Sequence, residues 1–291
     1  MIDTTTDAPR AIPIIDSISG LVSSADAWLV DIWGVMHNGV APYAAAVDAC
    51  RRFRANGGTV ALLSNAPRPA AAALEQLRRI CVAEDAFDAI VTSGDLTRGL
   101  VDQWRHKRIH HLGPERDLGL FAGLGVTLAT SLEAEIVVCS GFLDDTTETV
   151  ADYRTTLDGF RRRGALMICA NPDLMVERGE RIIPCAGALA AAYAEIGGEV
   201  VYAGKPYPPV YDLALSTLAD VRGQAVDKSR VLAIGDGVRT DIAGAAAVGI
   251  RSVFVASAIH VERGRLDPEV VADLFAGLAD PPVAAMTGLA W

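Results

Sequence analysis

Four apolar runs in this chain each break off into a short polar cluster, and that repeated punctuation constrains the fold more than any other feature. The runs end at Asp31, at Ser64-Asn65, at Gly204-Lys205-Pro206, and at Gly235-Asp236-Gly237 with Asp241 close behind. Apolar runs of this length read as strands buried on both faces. Helical patterns separate most of them, so the chain reads as repeated βα units forming a mainly parallel, doubly wound sheet. In such a sheet all strand carboxyl ends lie along one edge, and the four clusters can converge there on one crevice. Taken singly, each has a plainer reading: Asp31 as a cap of the next helix or turn, Gly-Lys-Pro as a turn, Asp236 as a helix N-cap. Their shared position points to one site.

In chain order the pattern predicts strands over 27–31, 59–63, 88–92, 108–112, 134–139, 165–169, 200–203, 230–234 and 251–255. Helices are predicted over 43–55, from Pro67 and Pro69 to about Ile80, and over 148–163, 185–196, 209–219 and 240–248. Arg51, Arg52 and Arg54 suit the carboxyl end of the first helix, and Asn56-Gly57-Gly58 stops it. Residues before about Ser24 read as a polar arm whose amphipathic segment, 14–22, packs on the outside.

At 291 residues, 51% of them hydrophobic, the chain has enough apolar material for one large domain or two ordinary ones. A net charge of -10 argues against a nucleic-acid partner, whose phosphates need clustered Lys and Arg. The acidic start lacks the basic and apolar regions of a secretion signal, and no apolar run reaches the roughly 18 residues that span a bilayer. The five cysteines are scattered without a Cys-x-x-Cys pair and read as small buried hydrophobes in a reducing, cytoplasmic setting.

The chemistry of the converging set is that of phosphoryl transfer. Asp31 is a candidate carboxylate nucleophile of the kind that forms an aspartyl-phosphate. Asp236 and Asp241 add acidic oxygens suited to Mg2+, and Ser64 and Lys205 can clamp phosphoryl oxygens. No Walker-type Gly-x-x-x-x-Gly-Lys-Ser/Thr loop is present.

The order Asp-x-x-Gly-Val, Leu-Ser-Asn, Gly-Lys-Pro, Gly-Asp-x-x-x-x-Asp resembles the haloacid dehalogenase (HAD) superfamily. Asn171-Pro172-Asp173, the Pro184-Cys185-Ala186-Gly187-Ala188-Leu189 run and Gly204-Lys205-Pro206 narrow the resemblance to class IIA, the NagD-like sugar-phosphate and nucleotide phosphatases. The resemblance implies an α/β fold, a Rossmann-like core over 1–87 and 200–291 with an α/β cap inserted over 88–199. It implies Asp31 as nucleophile and Lys205 as its catalytic partner. Mg2+ would be held by Asp31, Asp236 and the Trp33 carbonyl, with Asp241 a ligand or a partner behind it. Ser64, Asn65, Lys205 and Gly34 would bind the phosphoryl group, and Asn171 and Asp173 either shape the substrate pocket or form a turn. The implied partner is a small phosphorylated metabolite, with a homodimer allowed.

One position departs from the family pattern. Family phosphatases carry a second Asp, two residues after the first, that protonates the leaving group; here Trp33 stands there, and an indole exchanges no proton. General acid–base help is worth about 10²–10⁴ in rate, so its loss leaves turnover of good leaving groups open. Three readings follow: a phosphatase with a substitute acid or an activated leaving group; other aspartate-nucleophile chemistry such as dehalogenation or carbon–phosphorus cleavage; or a phosphate binder without turnover. His37 is the nearest replacement acid in sequence, set against a plain loop role. His110 and His111 fall on opposite faces of a strand, Arg239 reads as a helix start, and His260 reads as a surface residue.

Overall fold

The computed structural model describes residues 11–178, 181–256 and 266–291. His260 and the acidic first ten residues lie outside the described residues. The elements run β1 (Ala27–Asp31), α1 (Ala44–Ala55), β2 (Thr59–Ser64), α2 (Ala70–Arg79), β3 (Ala89–Thr92) and α3 (Ser93–Gln103). They continue with β4 (Ile109–Leu112), β5 (Ile136–Cys139), α4 (Arg154–Arg162), β6 (Leu166–Cys169), β7 (Met175–Arg178), β8 (Arg181–Pro184), α5 (Ala186–Glu195) and β9 (Val200–Tyr202). The last are α6 (Pro208–Arg222), β10 (Val231–Gly235), α7 (Ala243–Ala247), β11 (Arg251–Val255), α8 (Pro268–Leu274) and β12 (Ala284–Met286).

Six strands form one parallel sheet in the order β12-β11-β10-β1-β2-β3, and β4-β5-β6-β9 form a second parallel sheet. The larger sheet is covered on both faces, as the unbroken apolar runs require. Side chains alternate along β1, so Trp28 and Val30 pack with Ala46, Ala49, Cys50 and Phe53 of α1, whose spacing of three to four residues makes one helical stripe. Ala27 and Leu29 turn to the other face and meet Val210, Tyr211, Ala214 and Leu218 of α6. Trp28 is fully buried and stacks flat on Phe53, with ring centroids 3.9 Å apart and planes 2° from parallel. The register sets Asp31 opposite Leu63, Val30 opposite Ile234 and Ser64 opposite Thr92, so the ends of β1, β2, β3 and β10 are level along one edge.

Sheet membership moves both ends of the expected inserted segment by one strand. The strand at Ala89–Thr92, placed at the head of the cap, pairs with β2 in the large sheet. Val200–Tyr202, placed in the core, is an edge of the small sheet beside β6. An apolar run carries no mark of which sheet it joins, and these two lie where the chain crosses between the units. The β7–β8 hairpin, α8 and β12 were not expected. Helix 148–163 divides into a 3-10 turn at Val150–Tyr153 and then α4, and helix 240–248 begins earlier, as a π turn over Val238–Ile242. The segment at 14–22 is not an outer arm: Ile18 is fully buried, and the backbone of Ile15 donates to Ala285 of β12 at 2.9 Å. Four cysteines are buried as expected, but Cys81 is exposed.

Removing the Phe53 ring leaves a cavity beneath Trp28 that the flanking strands are too tightly paired to fill. Phe53→Ala should cost about 3–5 kcal/mol in chemical denaturation; a loss under about 1 kcal/mol would show that the stack contributes little.

Candidate active site

At the edge where β1, β2 and β10 end, the chain gathers its predicted polar residues. Asp31 is 7% exposed, Asp236 9%, Asp241 7% and Lys205 2%. The carboxylate oxygens of Asp31, Asp236 and Asp241 lie within 4.8 Å of one another. The Lys205 ammonium sits among them, donating to Asp31 Oδ1 at 2.5 Å, to Asp241 Oδ1 at 2.7 Å and to the Leu63 carbonyl at 3.1 Å. All three of its protons are used, which fixes its position.

The glycines around this group are there because backbone must pass close. Gly34 has φ +88°, and a Cβ there would strike the Asp236 carboxylate. A Cβ on Gly235 would strike Asp241, and one on Gly204 would strike Ser93 Oγ and Asn65 Oδ1. The Gly-Asp and Gly-Lys pairs of the sequence are therefore close-approach positions as much as turns.

Asn65 is a clasp. Its Oδ1 accepts from the Lys205 backbone N–H at 2.7 Å and from Ser93 Oγ at 3.3 Å, while its Nδ2 donates to the Lys205 carbonyl at 3.1 Å and to Asp173 Oδ1 at 2.8 Å. With its amide so committed, its side chain places Lys205 and ties Asp173 of the cap to the core, in contrast to the direct phosphate contact expected for it. Gly34 also differs from expectation: its N–H is spent on the His37 carbonyl at 2.9 Å and is closed to a phosphate oxygen. Ser64 Oγ accepts from the Ala66 N–H at 3.1 Å and keeps its own proton for donation. Asn171 Oδ1 accepts from the Asp173 N–H at 3.0 Å across Pro172, and both Asn171 and Asp173 line the cleft. Asp241 is also occupied at both oxygens, since Oδ2 accepts from the Gly237 N–H at 3.1 Å and from Thr240 Oγ1 at 3.3 Å. Ser93, Thr240 and the Asn65–Asp173 tie carried no motif to mark them.

Burial pushes the Asp31 carboxyl well above the usual range; the Lys205 ammonium opposes that, and Asp241 and Asp236 add to it. Burial works against the charge on Lys205, but Asp241 and Asp31 outweigh it and hold the ammonium protonated. Asp173 is pushed up to about 6 by burial, against the pull of Lys205 and the Asn65 hydrogen bond. Three carboxylates thus face one ammonium in a desolvated pocket, an arrangement that suits a divalent cation with hard oxygen ligands.

These residues floor a cleft of about 1100 Å³ whose far wall is cap. Trp33 stands on its rim, the indole lying over Gly39 and meeting the His37 ring edge-on at 5.0 Å. His37 itself turns inward, 1% exposed, its Nδ1 accepting from the Gly39 N–H at 2.8 Å. Burial pushes it down to about 4, so it holds the loop and carries no acidic proton near neutrality. Arg239 lines the cleft from the π turn, and His110 and His111 point apart, to the Ala129 carbonyl and to Ser140 Oγ. Arg68 Nε reaches Asp117 Oδ1 of the cap at 3.1 Å, a second tie across the cleft.

Two family models match the chain, a haloacid dehalogenase-like hydrolase over residues 28–127 and a HAD-hydrolase-like model over 202–278. A haloacid dehalogenase-like family hydrolase of Brucella suis, known as a crystal structure, is 42% identical with a TM-score of 0.85, covering 95% of this chain and 100% of that one. Dihydroxyacetone phosphatase of Corynebacterium glutamicum is 33% identical over 122 residues, 40% of this chain and 42% of that protein. The ribonucleotide monophosphatase NagD of Escherichia coli is 34% identical over 101 residues, 34% of this chain and 37% of that one. The chain thus spans less than half the length of either of these curated relatives.

A His37 ring held neutral has a consequence in solution. An NMR titration of the histidine ring signals should place its midpoint near 4, and the fold should lose stability as pH falls from 6.5 towards 4, because only the unfolded chain takes up that proton there. A midpoint near the ordinary 6.5 would contradict the inward, acceptor role of the ring.

Proposed function

Because the chain belongs to the haloacid dehalogenase-like hydrolases, in their NagD-like branch, we propose that it is a Mg2+-dependent phosphatase of a small phosphorylated metabolite, working through an aspartyl-phosphate on Asp31. The observation that carries this reading is the ammonium of Lys205 held among three buried carboxylates at the strand ends, inside a cleft walled by a cap. The two curated relatives named above, from Corynebacterium glutamicum and Escherichia coli, are phosphatases by name, which supports the same class of substrate.

Asp31, Asp236 and the Trp33 carbonyl would hold the metal. Asp241, with both oxygens engaged by Lys205, Gly237 and Thr240, stands behind them and aims Lys205. Bound Mg2+ would offset the excess negative charge and so admit a phosphoryl dianion beside Asp31. Ser64 Oγ–H donates to the phosphoryl oxygens, and the Lys205 ammonium, held in place by Asp31, Asp241 and the Leu63 carbonyl, offsets through space the charge that spreads over them. An Asp31 oxygen attacks phosphorus in line, the bond to the ester oxygen breaks, and that oxygen leaves as an oxyanion that takes its proton from solvent water. Water then attacks the acyl phosphate, releasing inorganic phosphate and restoring the Asp31 carboxylate. The Asn65–Asp173 and Arg68–Asp117 ties hold the cap over this chemistry and limit bulk water.

Neither Trp33 nor His37 supplies the leaving-group proton, so turnover should favour esters with good leaving groups. The same observation supports the second reading, a phosphate-ligand binder without turnover. A phosphate-ester screen with Mg2+ separates the two. The phosphatase reading expects hydrolysis of activated aryl phosphates that Asp31→Asn abolishes; no turnover of any ester alongside measurable phosphate binding would establish the binder. Trp33→Asp should raise kcat on alkyl phosphates by about 10²–10⁴. An unchanged rate would mean that the native chain already has an acid.

A further inference from the structure

The cap wall of the cleft holds a second charged cluster that the chemistry above does not use. Three cap segments bring it together: Arg178 at the end of β7, Arg116 in the 3-10 turn after β4, and Asp145 in the loop after β5. Asp145 is 8% exposed and accepts from Arg178 Nη1 at 3.0 Å and Nη2 at 2.6 Å, and from Arg116 Nη2 at 2.8 Å. Burial works against its charge, but the two guanidiniums more than offset this and hold it ionised. One buried carboxylate therefore sits between two guanidiniums, with Asp144 also within electrostatic reach of Arg116. Across the same cleft the Arg68–Asp117 pair joins one guanidinium to one carboxylate.

Asp145 takes two of the five N–H donors of Arg178, one from each terminal nitrogen, and one of the five of Arg116; among the described residues no other acceptor is recorded for the rest. Both guanidinium side chains are 47% exposed, although their shared partner is buried, and both line the cleft that contains Asp31, Lys205 and Trp33. A buried carboxylate that orients two arginines gives them a set direction at little further entropic cost on binding, which is how a preorganised anion site is built. Leu174, Met175 and Phe142 line the neighbouring cap wall, so the site offers charge at one spot and apolar contact beside it.

We infer that Arg116 and Arg178, aimed by Asp145, form a second anion subsite, and that the substrate is a phosphomonoester carrying a further anionic group, a carboxylate or second phosphate, on its tail. The inference rests on the phosphatase reading for its substrate, but the subsite itself is a binding claim that can be tested without turnover. Asp145 is a positioning residue here, and the two arginines make the contact.

The test uses the full chain with Mg2+ and two esters of one three-carbon skeleton, 3-phosphoglycerate and glycerol 3-phosphate. The carboxylate ester should be preferred by about tenfold or more in kcat/KM. Arg178→Gln and Arg116→Gln should each raise KM for it by about tenfold and leave glycerol 3-phosphate within about twofold. Each single variant leaves Asp145 one guanidinium, so the neutral-tailed ester also reports an intact fold. Equal kcat/KM for the two esters, or variants that depress both alike, would overturn the inference and make the cluster a structural tie. If neither alkyl ester turns over, calorimetry on the same two ligands decides the subsite, and hydrolysis of activated aryl phosphates separately decides the phosphatase reading. A selective tenfold loss of 3-phosphoglycerate binding in Arg178→Gln upholds it, and equal binding of both ligands overturns it.

Discussion

The structure depends on one electrostatic constraint: three carboxylates share a desolvated strand edge with a single ammonium. Taken from water without partners, those charges would cost several kcal/mol each. Lys205 reduces the cost by bonding two of the carboxylates and the Leu63 carbonyl at once, and Asn65 fixes Lys205 by gripping its backbone on both sides. The glycines at 34, 204 and 235 follow from the same crowding, since a side chain at any of them would strike this network. The apolar packing beneath it, with Trp28 stacked on Phe53 and α6 on the opposite face, makes the strand ends rigid enough to hold the charges together. The uncancelled negative charge is what suits the pocket to a divalent cation and, through it, to a phosphoryl group.

The cap is joined to this centre by hydrogen bonds as well as by chain connection. Asp173 accepts from Asn65, so the residue that positions Lys205 also holds the cap loop. Arg68 and Asp117 repeat the connection on another side of the cleft. A change in the cap loop therefore bears on the placement of Lys205, and substrate fit and catalytic geometry are not independent here.

What the sequence made legible follows from local rules. Buried parallel strands announce themselves as apolar runs, and the polar cluster after each run marks the carboxyl edge, so Asp31, Ser64, Lys205, Asp236 and Asp241 could be found and assembled from residues alone. Individual roles within the cluster were less legible, because they depend on which donor meets which acceptor. Asn65 and Gly34 both sit where a phosphate contact was expected, yet the Asn65 amide and the Gly34 N–H are taken by protein partners. His37 reads from sequence as either a replacement acid or a plain loop residue, and the fold supports the second, with Nδ1 accepting from the Gly39 N–H; only its burial had no signal in the sequence. The strands at Ala89–Thr92 and Val200–Tyr202 were seen as strands and assigned to the wrong sheets, since pairing partners distant in sequence leave no trace in a short apolar run. Arg116, Asp145 and Arg178 come from three separated segments with no spacing to link them.

The central claim is that the phosphoryl group passes through Asp31 before it reaches water, two displacements in place of one. The stereochemical course at phosphorus tests this directly, using an ester made chiral by oxygen isotopes and hydrolysed with Mg2+ in labelled water. Two in-line displacements predict retention of configuration. Inversion would mean that water attacks the ester itself, and Asp31 would then have no covalent role.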